Sequence, residues 1–144
     1  MSVAHHAPAQ TSPRARSWIR RIWSGGQMTE TCPEWCEDTH HADQEVGGNL
    51  DDLSHGTAYV ATHLPVFDAE EGTLAWPVLA ARINVDPYSE DPRRNVPHVT
   101  FEPWQDEVME CLDPDDFAAV IAQLRAHCDR LDEVLAKLTR VRGE

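Results

Sequence analysis

The sequence has no long apolar run, few cysteines and few basic residues. No stretch approaches the ~18 consecutive apolar residues of a transmembrane helix, and none resembles the apolar core of a signal peptide. Four cysteines in 144 residues are too few for a small fold built on disulfides. With 41% hydrophobic and 26% charged residues, the composition is typical of a soluble globular protein. We therefore expect a cytoplasmic protein with no membrane span.

Basic side chains are scarce and unevenly placed. The chain has 12 basic and 25 acidic residues, a net charge of −13. Four arginines lie within residues 1–27, which contain no acid, so the remainder has eight basic against 25 acidic residues and a net charge of −17. Because phosphate contacts require Lys and Arg, this balance makes nucleic acid an unfavourable partner.

Residues 1–27 are rich in Ala, Pro, Ser, Arg and Gly, and we expect them to form a disordered basic tail. An alternative is that the natural chain starts at Met28, because two glycine codons just upstream can encode a ribosome-binding sequence. A third interpretation is a short cationic helix that places Trp18 and Trp23 on anionic lipid. In the first two cases the folded part is a single domain over residues 28–144.

The chemically distinctive part of the sequence follows this tail. It has the pattern C-x3-C-x3-H-x14-H, formed by Cys32, Cys36, His40 and His55. Zinc prefers four tetrahedral ligands drawn from thiolate and imidazole, and two cysteines a few residues apart can share one ion. We expect these four residues to bind a structural Zn²⁺ ion. His41 is the rival of His40, because adjacent side chains seldom reach one ion together.

Two other interpretations of this motif stay open. Cys32 and Cys36 could form a disulfide, or remain free thiols beside surface histidines. A catalytic zinc is disfavoured, because the sequence lacks H-E-x-x-H and the deaminase pattern, and four protein ligands leave no position for water. The acids that we expect to contact the ligand imidazoles are Glu37, Asp38, Asp43 and Asp51.

The segment Cys32-Pro33-Glu34-Trp35-Cys36, with the later histidines, resembles an actinobacterial family of unknown function whose members open with CPxWC. Members of that family continue through a few strands and end in an Ala/Leu-rich helix, which here would follow Leu112-Asp113-Pro114. The resemblance covers roughly residues 30–140. It implies a small zinc-binding-type module and no known reaction.

The rest of the chain predicts an α+β fold. Apolar alternation between turn residues predicts strands over 57–67, 74–85 and 96–103, with a weaker strand over 107–111. Consecutive strands favour a small antiparallel sheet of three to four strands. The expected regions are a metal-binding loop over 28–56, the sheet over 57–111 and a helix over 113–141.

The alternation also predicts which side chains of the sheet face the core. The residues expected to point inward are Leu79, Ala81, Ile83, Val85, Val99 and Phe101. The residues expected to face solvent are His63, Arg82, Asn84, His98, Thr100 and Glu102. Cys111 and Cys128 are expected to be core thiols.

The helix has clear start and stop signals. Asp113 can cap its start, Pro114 fits the first helical position, and Gly143 can end it. Apolar residues recur at alternating intervals of four and three, the spacing of a heptad. They are Phe117, Ile121, Leu124, Cys128, Leu131, Leu135 and Leu138. The stripe predicts a helix packed on the sheet, with a possible homodimer through its far end.

These observations favour a small non-enzymatic zinc-binding module that acts as a protein-interaction or regulatory adaptor for a protein partner of unknown identity. The alternatives are a nucleic-acid-associated regulator and an acidic inhibitor that mimics DNA. A metal-dependent hydrolase is a more remote alternative, because it would need an ion with a labile water.

Overall fold

The N-terminal part of the structure is a two-stranded β-hairpin. The computed structural model describes residues 16–143. Strand β1 (Ser17–Arg21) pairs antiparallel with β2 (Gln27–Thr31). Gly25 and Gly26 lie in the turn with positive φ angles of 108° and 94°, a backbone region that glycine enters without steric cost.

This hairpin corrects the expectation for the N-terminal segment. Residues 17–27 form a strand and a turn, neither a disordered tail nor an amphipathic helix, whereas residues 1–15 lie outside the described part. Translation from Met28 stays a prediction. It would remove β1 and leave β2 without its partner, because Met28 pairs with Arg20 across the hairpin.

Two short helices connect the hairpin to the second sheet. Helix α1 spans His41–Glu45, and a single 3₁₀ turn spans Leu50–Asp52. The Asp52 carboxylate accepts a hydrogen bond from the Asn49 backbone N–H at 2.7 Å, which caps the start of this turn. Leu53 follows it and is completely buried. The predicted loop region therefore has its own small core beside the hairpin.

The second sheet has five antiparallel strands around one long central strand. They are β3 (His55–Gly56), β4 (Val60–Asp68), β5 (Gly72–Val85), β6 (His98–Trp104) and β7 (Glu107–Leu112). β3 and β4 both pair with one edge of β5, β6 pairs with its other edge, and β7 pairs with β6. The predicted antiparallel sheet is confirmed, with the two-residue β3 as an additional strand.

The faces of the sheet differ from the predicted alternation. Leu79 has a positive φ of 55°, and the register of β4 against β5 shifts between Val60 and Thr62. The irregularity buries Val78 and leaves Leu79 38% exposed, because one non-extended residue changes the face of the residues beyond it. The expectation that Leu79 lies in the core is therefore wrong. The same expectation is wrong for Ile83, which is 43% exposed.

Two residues predicted to face solvent are buried. Asn84 and His98 are directly opposite each other on β5 and β6, and the Asn84 amide lies 3.0 Å from His98 Nε2. Thr100 donates a hydrogen bond to the Asn84 side-chain oxygen at 2.7 Å. Each polar group thus has a partner, which offsets the cost of its burial. His63, in contrast, is exposed as predicted.

The long C-terminal helix is confirmed. Helix α2 spans Pro114–Arg142, and the Asp113 carboxylate accepts a hydrogen bond from the Asp116 N–H at 2.8 Å. Phe117, in its first turn, packs against Phe101 of β6 with ring centroids 6.0 Å apart. The described residues of α2 include no buried side chain. The helix therefore docks on the sheet through its first turns, and Cys128 is exposed where a core thiol was expected.

Candidate metal centre

The structure brings the four expected ligands into one buried group. Cys32, Cys36, His40 and His55 are all buried, and their ligand atoms lie within 4.8 Å of one another. His41, the rival of His40, does not enter the group, because it is exposed and is the first residue of α1. The group includes thiols and imidazoles that could hold a metal ion.

The distances within the group match a tetrahedral site. Cys36 Sγ lies 3.4 Å from His40 Nε2 and 3.6 Å from His55 Nδ1. The two histidine nitrogens lie 3.3 Å apart. With Zn–S bonds of about 2.3 Å and Zn–N bonds of about 2.0 Å, tetrahedral angles place neighbouring ligand atoms roughly 3.3–3.8 Å apart. These three donor atoms are therefore spaced as zinc requires, and Cys32 Sγ lies within 4.8 Å of each of them.

Four different segments position these donors. Cys32 directly follows β2, and the Cys36 N–H donates to the carbonyl of Pro33 at 3.0 Å, which closes a turn between the two sulfurs. His40 precedes α1 with a positive φ of 58°. His55 starts β3 and pairs with Val85 of the second sheet. A bound ion would join the hairpin, α1 and the second sheet at one point.

Hydrogen bonds determine which histidine nitrogen faces the group. Asp43 Oδ2 lies 3.0 Å from His40 Nδ1, so the carboxylate accepts the proton on Nδ1 and leaves Nε2 to face the sulfurs. A carboxylate in this position orients a ligand imidazole and raises its basicity. Of the four acids expected to contact the imidazoles, Asp43 does so. Glu37 and Asp38 instead bind the Ala58 N–H and the Arg82 guanidinium.

Two residues of the predicted tail contact the thiols. The Trp18 indole N–H donates to Cys32 Sγ at 3.2 Å, and its ring stacks on His40 with centroids 4.6 Å apart. The Arg16 guanidinium lies 3.8 Å from Cys32 Sγ and 3.9 Å from Cys36 Sγ, and it donates to the carbonyl of Asp38 at 2.7 Å. Donors aimed at sulfur favour the thiolate form that a metal needs.

The local environment shifts two of the ligand pKa values. Burial raises the pKa of the Cys32 thiol, an effect that the Trp18 hydrogen bond and the Arg16 charge oppose. Burial and the neighbouring His40 lower the pKa of His55. A lowered pKa keeps the His55 imidazole neutral near pH 7, as a ligand must be. Because the Cys32 thiol must lose its proton to become a ligand, metal binding would release protons.

The comparison with protein families covers almost the whole chain. The model of a family described as a domain of unknown function (DUF6907) matches residues 6–140. The chain belongs to this family. No curated protein and no solved structure matches the chain at a significant level. The expected resemblance to a family of unknown function is thus confirmed, and the matched range includes strand β1, which lies upstream of Met28.

In this member of the family, Arg82 connects the candidate centre to the second sheet. Its guanidinium donates to Asp38 Oδ2 at 2.9 Å and lies over the Tyr59 ring, 5.3 Å from the centroid. A Cβ at Gly56 would collide with this guanidinium, so the close approach requires glycine. Arg82 was expected to face solvent, but its side chain is only 19% exposed.

A buried ion pair lies on the same face of the hairpin as Trp18, because Glu30 is directly opposite Trp18 and Arg20 is two residues further along β1. Arg20 is completely buried; its NH1 lies 3.5 Å from Glu30 Oε1 and donates to the carbonyl of Leu50 at 2.8 Å. The Tyr88 hydroxyl donates to the second oxygen of Glu30 at 2.9 Å. The interpretation as a tail missed these residues. The Gly25-Gly26 pair between two alternating segments was the signal for a hairpin.

Proposed function

We propose that this protein is a small, non-enzymatic zinc-binding module that acts as a protein-interaction or regulatory adaptor in the cytoplasm. The observation that supports it is the buried group of Cys32, Cys36, His40 and His55. Within this group the donor atoms of Cys36, His40 and His55 lie 3.3–3.6 Å apart. Two thiolates and two imidazoles form the donor set of structural zinc sites.

The donor set favours zinc over other abundant cations. Thiolate ligands are soft, and Mg²⁺ and Ca²⁺ prefer oxygen. Two thiolates would neutralise the charge of Zn²⁺, which suits a buried site. All four positions of a tetrahedral ion would be filled by protein, so the ion would supply structural cohesion and have no open position for a reacting water. The non-enzymatic part of the proposal depends on this closed ligand set.

The metal would stabilise the contact between the hairpin and the second sheet. Besides the ligands, this contact includes the Glu37 N–H bonded to the carbonyl of Gly56 at 2.8 Å and the Arg82–Asp38 ion pair. Few apolar side chains are fully buried in the described part of the chain. Binding free energy from a structural metal would therefore be a large share of folding free energy here.

The experiment is elemental analysis of the full chain, purified under reducing conditions without chelator. We expect about one zinc per chain, and its loss in Cys32→Ser. His41→Ala is the matched control, because His41 is the exposed neighbour of a ligand, and we expect it to retain the metal. Reduced protein that contains no zinc and does not take it up would contradict the proposal.

The adaptor role requires a second experiment, directed at the nucleic-acid alternative. A net charge of −17 downstream of residue 27 leaves few cations for phosphate contacts. We expect the zinc-loaded full chain to show no gel shift with duplex DNA or single-stranded RNA at low salt. A shift that weakens steeply with added salt would replace the adaptor role with nucleic-acid binding, while the metal content would be unaffected.

A further inference from the structure

The far end of α2 exposes a continuous apolar stripe. From Leu131 onward, each of its large apolar side chains is about half exposed or more. These residues are Leu131, Val134, Leu135, Leu138 and Val141. The helix is about 43 Å long at 1.5 Å per residue, and only its first turns contact the sheet. A stripe of this size that no element of residues 16–143 covers marks an interaction surface.

The heptad pattern identifies the rows of this stripe. If Ile121 is assigned to heptad position a, position d is occupied by Leu124, Leu131 and Leu138. Position g is occupied by valine at Val120, Val134 and Val141 and by histidine at His127, whereas position e is polar at Arg125, Asp132 and Thr139. The seam is thus apolar at a and d, mostly apolar at g and polar at e.

The flanks determine the orientation of a paired helix. In a parallel pair the g row of one helix lies beside the e row of the other, which would place Val120 against Arg125, His127 against Asp132 and Val134 against Thr139. In an antiparallel pair g lies beside g and e beside e. Val120 then meets Val141, His127 meets Val134, and the charged e residues meet one another. Because flanking residues set partner choice and orientation in paired helices, the pattern favours a second, reversed copy of the same helix.

Charge then selects the register. When Cys128 packs opposite Leu131 of the second copy, a residues meet d residues along the helix, and Arg125 lies beside Asp132 of the second copy. By symmetry this ion pair forms twice. A register one heptad further along places Asp132 beside its own symmetry mate, which like-charge repulsion disfavours. In the favoured register the basic C-terminal end of one helix, near Arg140, also approaches the acidic N-terminal end of the second copy, near Asp116.

The same register accounts for an open groove at the start of α2. The groove has a volume of about 430 Å³ and lies between the sheet and the helix. Its walls include Ile83 and Val99 on the sheet and Phe117 and Ile121 on the helix. Leu138 of the second copy would lie opposite Ile121, so its helix end would cover this apolar surface.

We propose that α2 forms an antiparallel homodimer with a second copy of this chain, through the seam centred between Cys128 and Leu131. The test is sedimentation equilibrium of the full, zinc-supplemented chain at micromolar concentrations. We expect a mass twice the chain's 16.2 kDa. Leu131→Asp should shift the mass to that of the monomer. Phe67→Asp is the matched control on β4, because Phe67 is 79% exposed and lies outside the seam, and it should leave the dimer intact.

Cross-linking tests the orientation. Under mild oxidation, Leu131→Cys should form an intermolecular disulfide between the introduced thiol and Cys128 of the second copy, mapped by peptide mass spectrometry. A parallel dimer would instead join Cys128 to Cys128 in the unsubstituted chain, which would overturn the proposed orientation. A monomer at all concentrations, with the circular dichroism of a folded helix, would overturn the dimer and assign the stripe to a different protein.

The ion pair provides a third measurement. Arg125→Asp and Asp132→Arg should each weaken dimerisation by several-fold, because each places like charges side by side. The double variant should restore most of the loss, since it re-forms the pair in the reverse sense. Both residues are exposed on α2, so the substitutions leave the fold of the monomer intact. If the losses of dimer affinity in the two single variants simply added up in the double variant, the proposed register would be wrong.

Discussion

The first half of the described chain (residues 16–56) and the second half (residues 57–143) differ in the side chains that they bury and expose. Around the hairpin, the buried residues are mainly thiols, imidazoles and an ion pair, as in Cys32, His55 and Arg20. In the β4–β5 hairpin and α2, apolar residues such as Phe67 and Val141 are more than 70% exposed. The first half buries polar groups that need hydrogen-bond partners or a metal, whereas the second exposes apolar surface. Within residues 16–143, neither half contains a large apolar core.

The largest effect is expected from breaking the candidate metal group. Structural zinc binds zinc-finger peptides with about 10–16 kcal/mol at pH 7, so Cys32→Ser should lower Tm by more than about 10 °C. Differential scanning calorimetry checks this, with Cys111→Ser as the control outside the group. A Tm unchanged by both the substitution and a chelator would show that the first half folds without a metal.

The buried ion pair gives the next largest effect. Arg20→Met leaves Glu30 buried beside Tyr88 without its cation, and removing one partner of a buried pair costs about 3–5 kcal/mol. The measurement is the free energy of unfolding in urea. Arg93→Met is the control, because Arg93 forms a largely exposed ion pair with Asp91, and we expect no measurable change. A loss for Arg20→Met below about 1 kcal/mol would contradict a stabilising role for the pair.

A smaller effect is expected from the carboxylate behind His40. Asp43→Asn removes the negative charge that faces His40 Nδ1 at 3.0 Å, and we expect zinc affinity to fall about 10–100-fold. Competition with a chromophoric chelator measures the affinity. Asp51→Asn is the control, since Asp51 lies exposed on the 3₁₀ turn. Equal affinities in the two variants would remove Asp43 from the site.

The smallest effect concerns the second half alone. Asp113→Ala removes the side-chain cap of α2 and should cost about 1 kcal/mol, because the Asp116 N–H loses its partner. Zinc content should stay unchanged, since the cap is remote from the metal group along the chain. Thermal unfolding and elemental analysis of the same sample check both statements, with Asp115→Ala as the control that keeps the cap. Loss of zinc in Asp113→Ala would show that the two halves fold as one cooperative unit.

The difference between the halves also explains which predictions from sequence succeeded. The grouping of Cys32, Cys36, His40 and His55 follows from short spacings and the known preferences of a metal. The limits of α2 follow from Asp113, Pro114 and Gly143, which act within one turn. Predictions of burial failed at Leu79, Asn84 and His98. Side-chain direction there depends on one positive φ angle and on a partner in the adjacent strand, neither of which is visible in a periodic pattern.

The sequence by itself determined the α+β class, the long C-terminal helix with its heptad stripe, and the set of candidate ligands. Tertiary structure alone placed Trp18 and Arg16 on the thiols, paired Arg20 with Glu30, and separated His41 from the ligand group. It also left the apolar side chains at the end of α2 uncovered by any other element among the described residues. The physical reason is that caps, turns and spacings act over a few residues. Contacts between the hairpin, α1 and the sheet join positions tens of residues apart, and they exist only once the chain has folded.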